Sequence, residues 1–127
     1  MKAFVPRVPG SAQAHDSLVR ACLEWLAWHG IEAAAVNQIA RRREDGTFHT
    51  AGAPVGFPDI VGCLPPSGRM LLIECKSGKS RLRPKQIEAA RRWVGAGAVW
   101  GVVHAVDELP AVLAEAGFNG RAKRSGT

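Results

Sequence analysis

The chain has no apolar run approaching the ~20 residues that a bilayer-spanning helix requires, and its opening stretch MKAFVPRVPG lacks the apolar core of a secretion signal. It has no C-x-x-C pair. Cys22, Cys63 and Cys75 are odd in number and far apart, which argues against a disulfide framework or a zinc knuckle and fits a reducing, cytoplasmic setting. All three thiols are expected to be buried apolar filler. No segment repeats. Acids are the scarce charge: 11 Asp and Glu face 17 Lys and Arg, a formal charge of +6. That balance favours a polyanionic partner, nucleic acid before a membrane surface. Much of the excess is arginine, at 41–43, 81, 83, 91 and 92, whose planar fork grips phosphate through paired hydrogen bonds.

What is present is enough for one domain. With 127 residues, 46% of them hydrophobic, the chain can bury a single core and has little room for a second. Residues 1–10 and 118–127, rich in proline, glycine and basic side chains, are expected to be flexible ends of a domain covering 1–127. The spacing of Leu18, Cys22, Trp25, Leu26 and His29 predicts a helix over 11–29, stopped by Gly30. Residues 32–38 read as a strand. The irregular stretch 39–56 allows a hairpin turning at Asp45-Gly46. Strands are predicted over 57–63 and 70–76, around the Pro-Pro-Ser-Gly break, and over 98–104. Pro84 opens a helix that Gly95 and Gly97 end, and a last helix is predicted over 106–116. This order gives an α/β domain, a mixed β-sheet flanked by helices, with strands 70–76 and 98–104 parallel across a βαβ link.

Inside the most apolar part, PDIVGCLPPSGRMLLIECK (58–76), stand two acids and a lysine. Counted outward from a turn centred between Pro66 and Ser67, Asp59 falls opposite Glu74. Opposed residues of an antiparallel pair have Cβ atoms ~4.5–5.5 Å apart on one face, and Lys76 shares that face. Two carboxylates so close repel unless a cation lies between them. Hard Mg²⁺ suits such a pair, and the backbone carbonyl of Cys75 offers a further oxygen. Lys76 would then orient or activate the attacking water and stabilise the charge of the transition state. The plain alternative is a solvated surface salt bridge. It leaves unexplained why the acids flank so apolar a hairpin, and the metal reading is preferred.

Gly56-Phe57-Pro58-Asp59, Glu74-Cys75-Lys76 and Gln86 resemble the G-x-P-D, E-x-K and downstream glutamine of the PD-(D/E)xK nucleases. The set is most similar to the virus-type replication-repair nuclease family, VRR-NUC. The likeness also takes in AVNQ after the first helix, GRMLLIECKSGKSRLRPKQ and GAVWGVVHAVDEL, and runs from about Leu18 to Leu109. It implies a restriction-endonuclease-like fold, with Asp59 and Glu74 as metal ligands, Lys76 as catalytic base or charge stabiliser, and Gln86 orienting the site. It also implies dependence on Mg²⁺ or Mn²⁺, a homodimer, and branched or flapped DNA as substrate, in a bacterial or phage-infected cell. The expected activity is that of a junction-resolvase-like endonuclease of DNA repair.

The family carries a glutamate near the start of its first helix. Aligned on LVRACLEWL, this chain has His15 there, followed by Asp16. Asp16 can take the missing acid's place at the metal. His15 reads equally as a ligand or a surface residue, and Glu24, two turns on, as a solvated helix face. Lys79, Arg81, Arg83 and Lys85 flank the motif and could hold neighbouring phosphates, although each alone reads as a solvated loop residue. Arg41, Arg42 and Arg43 fit a DNA grip or a solvated charge run. The four tryptophans are expected in the core, with Trp28, off the main apolar stripe, the one to find exposed. The missing glutamate motivates a second reading, a catalytically impaired DNA-binding module that keeps the nuclease fold. A third is a nuclease directed at RNA.

Overall fold

The structure, a computed structural model, describes residues 11–36, 38–42, 44–45, 48–52 and 56–117, with the backbone alone for 11–12, 38–42 and 48–52. The expected flexible ends, 1–10 and 118–127, lie outside the described residues, as do Asn37 and Arg43. The chain runs α1 (Ser11–Trp28), β1 (Glu32–Ala35), β2 (Gln38–Arg42), β3 (Phe48–Gly52), β4 (Ile60–Leu64), β5 (Arg69–Cys75), α2 (Pro84–Gly95), β6 (Val99–Val103), a 3-10 turn (Val106–Glu108) and α3 (Leu109–Ala114).

A four-stranded sheet has the order β1-β4-β5-β6. Neighbours β1, β4 and β5 are antiparallel, and β6 lies parallel to β5, as the βαβ link through α2 requires. The pair β2–β3 forms a separate two-stranded sheet turning around Glu44 and Asp45. Strand β5 runs through the middle with Leu71 to Cys75 all buried, the near-continuous apolar run of a strand covered on both faces. Leu71, Ile73 and Cys75 join Cys22 and Leu26 of α1, Val99 and Val103 of β6, and Leu109, Val112 and Leu113 in one core cluster. Alternation sends Leu72 and Glu74 to the opposite face, and α2, packed on β6, buries Ala89 and Ala90.

Helix α1 stops where glycine was expected to stop it. Gly30 takes φ 73°, its N–H bonds the carbonyl of Ala27, and the Ile31 N–H bonds that of Leu26. These two bonds satisfy carbonyls that the helix end would otherwise orphan.

Four local expectations are corrected. The strand expected over 32–38 is two strands: β1 ends at Ala35, with the Val36 N–H still on the Asp59 carbonyl at 2.8 Å in the same register, and β2 begins at Gln38 in the other sheet. The strand expected from Phe57 begins at Ile60: Pro58 has no N–H to give a ladder, and the Asp59 side chain takes the Cys75 N–H. The last helix is a 3-10 turn followed by a short α-helix. Cys63, expected in the core with the other cysteines, is exposed, since alternation along β4 turns Ile60 and Leu64 inward and Cys63 outward.

Candidate active site

Tight closure of the β4–β5 hairpin fixes the site. The turn Pro65–Gly68 is closed by the Gly68 N–H on the Leu64 carbonyl at 2.8 Å, with Gly68 at φ 81°. From there the ladder runs from Leu64↔Arg69 to Ile60↔Ile73, the register counted from the sequence. One step further, beyond the ladder, Asp59 meets Glu74. Asp59 Oδ2 accepts the Cys75 N–H at 2.8 Å, so this carboxylate is held by the backbone of the strand that carries its partner.

Glu74 is 2% exposed. Burial, then the hydrogen bond to Asp59 and the charge of Asp59, push its carboxyl up to about 9, while the nearby charges of Lys76 and Arg83 pull it back. Its Oε2 is buried with no hydrogen-bond partner. A buried acid with an orphaned oxygen costs stability, and natural proteins keep few of them. Lys76, 9% exposed, follows one residue after β5, its N–H on the Val103 carbonyl at 2.9 Å.

This donor chemistry suits a divalent cation. A cation would replace the proton that the crowded carboxyls must share and would occupy the orphaned oxygen. Among the described residues no three His, Cys, Asp or Glu side chains are grouped as a ready-made cage. Two carboxylates completed by water, a backbone carbonyl and a phosphate oxygen is the ligand pattern by which Mg²⁺ is usually held.

The first helix reaches the acids through His15, whose Nε2 is 3.2 Å from Asp59 Oδ2. Asp16 is 79% exposed and lies on the imidazole's other side, its Oδ1 3.7 Å from Nδ1. Glu24 is exposed, as a solvated helix face requires. Gln86 is half-buried, and its Oε1 accepts the Arg83 N–H at 2.8 Å, so that oxygen closes the first turn of α2 rather than meeting the acids. Lys79, Arg81, Arg83 and Lys85 are all exposed along the segment from Lys76 into α2. Arg41 and Arg42 belong to β2, and Arg43 lies outside the described residues. Trp28 is 78% exposed, whereas Trp25 is half-buried and stacks on His29, and Trp93 meets Phe57 edge-on. Beneath the acids Cys75 contacts Cys22. That hydrogen bond, then burial, raises the Cys75 thiol far above its ordinary range, consistent with a packing role.

Sequence reasoning did not assign Gly56 a packing role. At φ 88°, a Cβ there would stand 2.7 Å from the Lys85 carbonyl oxygen. Gly56 therefore lets the loop bearing Asp59 lie directly on the start of α2. Gly56→Ala is expected to lower stability by about 1–3 kcal/mol through overpacking and an unfavourable φ, read as a lower midpoint of thermal unfolding. An unchanged midpoint would show that the loop and helix are free to separate.

An α/β domain whose mixed sheet brings an aspartate against a glutamate-x-lysine at the end of the neighbouring strand has a nuclease-type fold. The VRR-NUC domain family matches residues 20–107, and the chain belongs to that family. The match begins after His15 and Asp16. A solved structure described as a VRR_NUC domain shares the fold with a TM-score of 0.58, covering 83% of this chain and 98% of its own, at 19% sequence identity. No curated protein sequence matches the chain significantly.

Proposed function

We propose that the protein is a divalent-metal-dependent endonuclease that hydrolyses phosphodiester bonds in branched or flapped DNA. The observation that carries this reading is the contact of half-buried Asp59 with buried Glu74 and its orphaned Oε2, set beside Lys76. Asp59 and Glu74 would hold Mg²⁺ or Mn²⁺, with the Cys75 carbonyl as a backbone ligand. When bound, the cation supplies Lewis-acid polarisation of the phosphate and a nucleophile at neutral pH. Asp59 stays oriented by the Cys75 N–H, which limits the reorganisation that the reaction would otherwise require. Lys76 places a positive charge beside the acids, where negative charge develops on the phosphate in the transition state. Gln86 fixes the start of α2, and with it Arg83, whose charge is felt at Glu74. The exposed Lys79, Arg81, Arg83 and Lys85 would position the phosphates on either side of the scissile one. A homodimer would present two such sites to the two strands of a junction.

A panel of flaps, forks, four-way junctions and linear duplex, in DNA and in RNA, tests this reading with Mg²⁺ or Mn²⁺ present. Branched DNA is expected to be cut faster than linear duplex and faster than RNA of the same shape. Intact branched DNA under both metals would contradict the proposal. The alternative, a DNA-binding module with impaired catalysis, draws on the histidine that stands where the family carries a glutamate. Calorimetry showing tight DNA binding without binding of either metal would favour it.

A further inference from the structure

The α1 contribution to the acid pair is a nitrogen. His15 Nε2 faces Asp59 Oδ2 at 3.2 Å, the same oxygen that accepts the Cys75 N–H, while Asp16 is turned to solvent. Helical spacing explains the difference. His15 stands one turn before Leu18 and Val19 and two before Cys22, on the stripe that packs toward the core, and Asp16 is rotated off it. The geometry points to His15, rather than Asp16 or Glu24, as the first-helix ligand of the cation: the ring as it stands reaches Asp59 without completing a three-ligand cage, and cation binding would draw the imidazole in beside the two carboxylates.

This inference rests on the reading of Asp59 and Glu74 as cation ligands. The partnerless Oε2 of Glu74, in a residue only 2% exposed, supports that reading independently of His15. The far side of the ring fits the same role. A metal-bound histidine commonly gives its second ring N–H to a carboxylate, and Asp16 Oδ1 stands 3.7 Å from Nδ1, a short approach away from such a bond. Asp16 would then be a positioning residue that acts through His15.

The consequence is metal choice. Carboxylate and water suit Mg²⁺ and Mn²⁺ alike, but imidazole suits transition metals and is a poor exchange for a carboxylate at Mg²⁺. Replacing an acid by a neutral ring also removes one negative charge from the ligand set, which weakens the hold on a hard cation most. The protein should therefore prefer Mn²⁺ to Mg²⁺ by a wider margin than a site with three carboxylates, and His15→Glu should narrow that margin.

The test uses the full chain with Mn²⁺ or Mg²⁺ alone, without DNA, and reads calorimetric affinity together with nitrogen coupling in pulsed electron paramagnetic resonance of bound Mn²⁺. Wild-type protein is expected to show a ¹⁴N coupling that is lost in His15→Ala and kept in Asp16→Ala. His15→Ala should also weaken Mn²⁺ by about tenfold or more, with a smaller loss for Mg²⁺. Alanine at this partly exposed helical position favours the helix, so loss of the fold does not confound the result. Mn²⁺ binding that depends on Asp59 but shows no ¹⁴N coupling, and is unchanged in His15→Ala, overturns the His15 assignment and leaves the acid pair as the metal site. Mn²⁺ binding that is absent, or indifferent to Asp59→Ala, overturns both.

Discussion

Glu74→Gln is expected to stabilise the metal-free protein at pH 8 while removing its cleavage activity. The Glu74 carboxyl titrates near 9 in the folded chain against an ordinary value of 4.5, because it is buried and hydrogen-bonded to Asp59. Between those values the folded protein holds a proton that the unfolded chain has released, so stability falls as pH rises. The contribution is fully present below about 4.5, declines through the intervening range, and is exhausted above about 9. Glutamine is neutral throughout and can still donate to Asp59. In a chelator, the substitution should raise stability by about 1–3 kcal/mol at pH 8, roughly 4–12 °C in the unfolding midpoint, and change it little at pH 4.5. The same change removes a charged ligand, so cleavage should fall to background. Such an exchange of activity for stability is expected where a site keeps a destabilising group for its chemistry. Equal midpoints for both proteins at both pH values would show that Glu74 is not held under strain by its surroundings.

The second large effect is at Lys76. Lys76→Met keeps most of the side chain's volume in a position only 9% exposed, and Lys76→Ala removes it. Both are expected to slow cleavage by about 10²–10³-fold, the usual loss when one preorganised charge at a transition state is deleted. DNA binding should change little, because the exposed Lys79, Arg81, Arg83 and Lys85 remain. That pattern would appear as a fall in turnover with a nearly constant KM. Cleavage within about tenfold of wild type in Lys76→Met would remove Lys76 from the reaction and leave it as a counter-charge to Glu74.

These effects concern residues whose placement was legible in the sequence, for a physical reason. A tight turn and a side-chain period of two fix the register of a hairpin, so counting from Pro66 and Ser67 was enough to set Asp59 against Glu74. The parallel pairing of β5 with β6 followed equally from the helix between them. Features that depend on chain segments meeting from afar were not legible. Strands β1 and β2 belong to different sheets, and the apolar run 33–36 gives no sign of which partner strand each will find. Cys63 was assigned to the core by residue type, and strand alternation turned it outward. The close packing of Gly56 on Lys85 joins segments on either side of the β4–β5 hairpin. His15 is the instructive case. Sequence alignment marked its position as the one that should carry a ligand, but the residue type favoured neighbouring Asp16, and only the phase of the helix face distinguishes the two.

The most direct test is single-turnover cleavage of a flapped DNA at increasing Mn²⁺, with wild type and Asp59→Ala measured side by side. Wild type should be silent in chelator and gain cleavage with a saturable dependence on Mn²⁺, while Asp59→Ala stays at background at every concentration although it still binds the DNA. Cleavage in chelator, or cleavage by Asp59→Ala that follows the wild-type metal curve, would contradict a metal-dependent active site built on the Asp59–Glu74 pair.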